Sequence, residues 1–225
     1  MADSNPIQTS QAHPFNYQYQ RFMIGFVALM LPILVAWFGC PDLTSLSFSY
    51  HSDVRDMFVV CIAAVGALMI PYQGRTGNNK WEFWVPKFGG ICAIMVGYMP
   101  MDCISNGNGG WIAPFDCFIS SACGPTTNGM VHLMASIGVF LSLFILCIIF
   151  RHNAKGKHTF TGSLRACIYE ACMFGILVGA VLAGAERLGF PAFGERTIFW
   201  AETVMLVSFS IAWLTASKII IREKH

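Results

Sequence analysis

Six stretches of apolar residues, each close to the length of a membrane-spanning helix, dominate the chain. They fall at about 22–39, 55–72, 84–101, 130–150, 164–184 and 197–217. A helix needs ~20 such residues to cross the hydrocarbon core. The runs are continuous, whereas the strands of a membrane barrel alternate in polarity over short segments. Inside lipid every backbone amide must be satisfied within the protein, so six runs mean six helices. The composition agrees. Hydrophobic residues make up 55% of the chain and charged residues 12%, about half the share in soluble domains. The expectation is an all-α, polytopic integral membrane protein: one six-transmembrane-helix bundle over 22–217, between tails at 1–21 and 218–225.

The connecting segments set the orientation. Arg75, Lys80 and Lys87 cluster around the second connection, and Arg151, Lys155, Lys157 and Arg165 around the fourth. Lys218, Arg222 and Lys224 lie in the tail. The alternate connections carry only Arg55, Arg187 and Arg196, the last two matched by Glu186 and Glu195. By the positive-inside rule both termini are cytoplasmic. The first run reads as a retained helix, not a cleaved signal, since it exceeds a typical signal core and only Arg21 precedes it as a cation. Lipoprotein cleavage before Cys40 does not fit either, because Trp37 occupies a position that wants an aliphatic residue.

Of the nine cysteines, Cys61, Cys92, Cys147, Cys167 and Cys172 lie within spans, where they serve as small packing residues. Cys40, Cys103, Cys117 and Cys123 fall on the outer side, where two disulfides would stiffen the long 102–129 loop. That loop is glycine-rich and carries Trp111, Phe115 and Phe118, aromatics suited to the headgroup layer, so it is expected to fold as a cap on the helix ends. In the fifth run Gly175, Gly179 and Ala183 form a stripe of small residues that lets another backbone approach closely. A helix of the same chain is the expected partner; a second copy or another membrane subunit is the alternative.

Ionisable groups at membrane depth cost roughly 2.5–3.5 kcal/mol each, so each needs a reason. Most gather on the outer side: His51, Asp53, Arg55 and Asp56 at the start of the second span, Asp102 after the third, His132 at the start of the fourth, and Glu202 in the sixth. Structural explanations exist for each. Arg55 between two aspartates neutralises a helix start, His132 sits in a first turn, and Glu202 has Arg196 or Arg187 as partners. On the inner half Glu170 has Arg165 within reach. Taken together, His51, Asp102, His132 and Glu202 have the chemistry of a site for zinc or another divalent metal, and a metal-bound hydroxide would attack a lipid ester or amide. Without metal, His51, Asp56, His132 and Glu202 are the candidate catalytic set, with Ser47, Ser49 or Ser52 as nucleophile. Arg55 between Asp53 and Asp56 is the candidate phosphate-headgroup hook, and Arg55, Asp53 and Asp102 are the candidate headgroup-binding residues.

"VHLMASIGVFLSLFILCIIF", with His132 followed by small residues, and "WAETVMLVSFSIAW", with Glu202, resemble two helices of a six-span family. That family includes the damage-regulated autophagy modulators (DRAM) and the GPI-anchor remodelling protein. The resemblance also takes in the first outer loop and Arg55, and it implies a lipid-associated role in the plasma membrane or an endomembrane. Tyr50, His51, Arg55 and Asp56 are similar to a Tyr-His-x-x-x-Arg-Asp patch of uncharacterised bacterial six-span proteins. The leading expectation is therefore a protein whose outward polar pocket engages lipid headgroups, in a lipid-handling or regulatory role. A membrane-embedded lipid hydrolase or transferase is the alternative, and a transporter or a subunit of a larger complex comes after it. Membrane lipids are the expected partners. No basic tract or motif points to nucleic acid.

Overall fold

The computed structural model describes residues 17–39, 43–74, 80–101, 127–156, 158–190 and 192–221. It contains six long helices, α1 (Tyr17–Phe38), α2 (Arg55–Met69), α3 (Lys80–Tyr98), α4 (Thr127–Lys155), α5 (Phe160–Arg187) and α6 (Thr197–Ala216), with a 3-10 turn at Ser47–His51. Among the described residues four helices are long and apolar enough to cross a membrane: Tyr17–Phe38, Thr127–Lys155, Phe160–Arg187 and Gly194–Ala216. The chain is an integral membrane protein. α2 has 15 residues, a length of about 22 Å, and α3 carries Lys80, Glu82 and Lys87 in its first half. The expected tail at 1–21 is shorter than the spacing of apolar residues implied, because Tyr17 to Arg21 are already helical. Thr127 to Gly129, assigned to the cap loop, open α4. Cys40, Asp102, Cys103, Cys117, Cys123 and the body of the cap loop lie outside the described residues, and so does the disulfide expectation.

Each helix packs on its neighbours in sequence, and α1 packs on α6 to close the ring. The contacts make every neighbouring pair antiparallel. Gln20 of α1 meets Leu68 of α2, Gly66 meets Gly90, and Gly89 meets Ser142. Phe150 lies against Tyr169, Gly179 against Met205, and Gly25 against Leu214. The bundle therefore has two ends. The loop-one end gathers the 3-10 turn and the starts of α2, α4 and α6; the tail end gathers the starts of α1, α3 and α5. Leu31, Met69, Leu143, Leu146, Phe209 and Trp213 fill the interior. Every helix also leaves a large apolar side chain on the outside: Phe26, Val60, Phe88, Leu141, Phe174 and Ile211. Water would penalise that belt, and lipid accepts it.

Lipid offers little hydrophobic drive for helices to associate, so close backbone approach carries the packing. A Cβ on Gly90 would stand 2.7 Å from the Gly66 carbonyl oxygen, and one on Gly179 would stand 2.7 Å from the Ala201 carbonyl oxygen. Gly175 faces Ser208 in the same seam, so the small-residue stripe of α5 is used within the chain, against α6. Gly184 has open space around it. Overpacking of this kind costs roughly 1–3 kcal/mol. Gly179→Val and Gly90→Ala are expected to lower the melting temperature of the detergent-solubilised protein, while Gly184→Ala leaves it unchanged or raises it.

Candidate functional site

At the loop-one end the chain between α1 and α2 turns inward, and Leu43, Ser45, Leu46, Ser47 and Ser49 are buried. A 3-10 turn begins with amide groups that have no partner inside the turn. Glu202 supplies the partner. Its Oε2 accepts the Leu46 N–H at 2.6 Å and the Ser47 N–H at 3.4 Å, and its Oε1 accepts the Ser47 hydroxyl at 3.2 Å. The start of α6 has the same deficit, and the Phe199 N–H donates to the Thr44 carbonyl at 2.9 Å. Loop one and α6 thus cap each other. Arg196 lies over the Phe199 ring, 4.8 Å from its centroid. The expected ion pairing of Glu202 with Arg196 or Arg187 gives way to a capping role, because two amide donors lie closer to the carboxylate.

Both histidines serve the end of α3. His51 Nε2 is 2.7 Å from the Met101 carbonyl oxygen, and His132 Nδ1 is 2.8 Å from that of Met99. A carbonyl only accepts, so the nitrogen facing it carries the proton, and any metal would meet the other ring nitrogen. Among the described residues no group of three or more His, Cys, Asp or Glu side chains stands ready to hold a metal ion. Arg55, Asp53 and Asp56 are exposed at the mouth. The Arg55 guanidinium stacks on Tyr50, 4.5 Å from the ring centroid, and donates to its hydroxyl at 2.9 Å. Beneath loop one lies a cavity of about 30 Å³, lined by Leu31, Phe58, Ile62, Phe140 and Glu202 among others. That volume is enough for a water or two.

The tail end carries a second polar constellation, built from Arg21, Tyr72, Glu82 and Asn153 and absent from the sequence-based candidates. Arg21, placed in the tail by its charge, is buried. Its Nε donates to the Tyr72 hydroxyl at 2.9 Å, Nη1 to the Ala216 carbonyl at 3.1 Å, and Nη2 to Tyr72. Nη2 also meets Glu82 Oε1 at 3.5 Å. Glu82, likewise buried, accepts from Tyr72 at 3.2 Å and from Asn153 Nδ2 at 3.1 Å. The buried Arg165 donates to the Ile221 carbonyl. It is not the partner of Glu170, whose carboxylate pairs on the exposed surface with Arg151 and, at 3.0 Å, with Lys155. A signal for this cluster was present. Arg21, Ile24, Ala28, Leu31 and Val35 share one helix face, as do Glu82, Val85, Gly89 and Val96, and Arg165, Tyr169, Cys172 and Ile176. Each charge extends a buried apolar stripe by one turn.

Residues 23–212 match a family described as "Protein of unknown function (DUF998)". The chain belongs to that family. The match covers all six helices in whole or large part, and by itself it makes no link to the autophagy modulators. No curated protein and no solved structure matches the chain.

Removing one member of a buried charged pair costs about 3–5 kcal/mol, because the other is left uncompensated. Arg21→Met and Glu82→Leu are each expected to destabilise the protein strongly. The double variant should lose clearly less than the two losses together, as read from unfolding in a double-mutant cycle.

Proposed function

We infer that this member of the DUF998 family is a six-span membrane protein with both termini cytoplasmic, and that its loop-one end engages lipid headgroups. α2 and α3 complete the six spans, since both line the closed ring and both present apolar side chains outward. The tail end gathers Lys80, Lys87, Arg151, Lys155, Arg165 and Lys218, against Arg55, Arg187 and Arg196 at the other, so the tail end faces the cytoplasm. With the native cysteines replaced, a membrane-impermeant maleimide is expected to label Asp53→Cys on intact cells and Lys155→Cys only after permeabilisation. The reverse pattern would sink the orientation.

The observation that carries the headgroup reading is the exposed Arg55 on the face of Tyr50. Glu202, His51 and His132 are engaged by the fold at this end, while Arg55 stands at the start of α2 with its guanidinium outward. A guanidinium held by an aromatic ring beside a helix N-terminus is suited to a phosphate. The proposed contact is with the headgroup at the membrane surface, in a lipid-handling or regulatory role. Arg55→Ala is expected to reduce copurified anionic phospholipid several-fold while the melting temperature stays within a few degrees of the parent. Unchanged lipid content would refute the role of Arg55.

A further inference from the structure

The outer surface of the tail end carries charges of its own, apart from the buried Arg21 cluster. Glu170 of α5 accepts from Arg151 Nε and, at 3.0 Å, from Lys155 Nζ of α4, and all three side chains are exposed. Ile148, Arg151 and Lys155 follow one another at helical spacing on α4, as do Glu170, Phe174, Leu177 and Val181 on α5. The apolar members of both rows are exposed. The triad therefore extends two outward-facing apolar rows, whereas Arg21, Glu82 and Arg165 extend inward-facing ones.

Its depth follows from the helix it stands on. α4 and α5 are both long and apolar enough to cross a membrane. From Glu170 to Arg187, at its other end, α5 rises about 26 Å. The hydrocarbon core is ~30 Å thick, so the triad lies where the acyl chains give way to headgroups. Its charges do not cancel. Two cations share one carboxylate, and Arg151 Nη1 and Nη2 have no hydrogen-bond partner among the described residues. The other described carboxylate at this end, Glu82, is buried and engaged by Arg21, Tyr72 and Asn153. Water can serve the free donors, but a phosphate answers the donors and the residual charge together.

We propose that the seam between α4 and α5 binds an anionic phospholipid of the leaflet at the tail end. Arg151 and Lys155 hold its phosphate, with the free side of the guanidinium fork matching two phosphate oxygens. Its acyl chains run along Ile148, Phe174 and Leu177. Glu170 orients the two cations and, being an anion itself, weakens the site while it does so. Basic groups between spanning helices at the membrane surface are suited to such headgroups. The site lies at the opposite end of the bundle from Arg55 and stands or falls independently of it.

The test reads which lipid touches this seam in the full chain. With the native cysteines replaced, Phe174→Cys carries a bimane fluorophore in vesicles containing brominated acyl chains. The bromine is placed either on phosphatidylglycerol or on phosphatidylcholine, at the same mole fraction. Bromine quenches only a fluorophore close to it, so the two quenching curves give the lipid preference at the seam. Phosphatidylglycerol is expected to be preferred about fivefold or more, the factor for one basic residue at a membrane surface. Arg151→Gln combined with Lys155→Gln removes the preference, and Glu170→Gln raises it, because both cations then face the phosphate. Arg55→Ala leaves it unchanged. Exposed ion pairs contribute little to folding, so these variants are expected to keep the melting temperature of the parent; where the double variant fails to fold, Glu170→Gln decides alone. Equal quenching by the two lipids overturns the proposal, as does a preference that survives the double variant. A preference that falls in Glu170→Gln also overturns it and leaves the triad as a link between α4 and α5 only.

Discussion

The tail end of the bundle depends on one side chain, Arg21. Its guanidinium reaches the hydroxyl of Tyr72 just past α2, the Ala216 carbonyl of α6 and the carboxylate of Glu82 on α3. Glu82 in turn holds Asn153 of α4. Five of the six helices are thereby tied at one point. In water such a group would exchange partners with solvent at little cost. Here it sits among Phe150, Tyr72 and Trp213, where a missing partner is not replaced. Its position also suits the helix dipole, since a cation at the end of α6 meets exposed carbonyls.

The loop-one end is closed by the opposite charge. Glu202 meets the amides that open the 3-10 turn, and the amide of Phe199 is answered by Thr44. A carboxylate at an N-terminus and a guanidinium at a C-terminus are the same device in mirrored form. Between the two ends the helices meet through glycines and interlocking apolar side chains, with few polar demands. The ends differ in what remains. At the loop-one end Arg55 faces outward beside Tyr50, whereas at the tail end Arg21 and Glu82 are buried together.

The all-helical architecture was legible because it rests on local quantities, the length and continuity of apolar runs. The boundaries were less so. Tyr17 to Arg21 are helical although polar, because Gln20 and Arg21 find partners across the bundle that a scan for apolar residues does not register. The outer-site candidates were identified from their clustering at span ends. Clustering does not say whether a group faces a ligand or a neighbouring backbone. His51 and His132, metal-ligand candidates by composition, each bond a backbone carbonyl at the end of α3 through one ring nitrogen. Glu170 pairs with Arg151 and Lys155 instead of Arg165, because these residues of α4 lie beside it while Arg165 is buried on another face of α5.

By itself the sequence determined that this chain enters a membrane as helices, since no other arrangement satisfies the backbone in lipid. It also determined the distribution of charge along the chain and the small-residue seam of α5. Only the tertiary structure decided which charges are partners. Hydrogen bonds and ion pairs depend on distances of a few ångströms between segments as far apart as Arg21 and Ala216. Ring closure by α1 and α6 brings those segments together, and no local pattern encodes that closure.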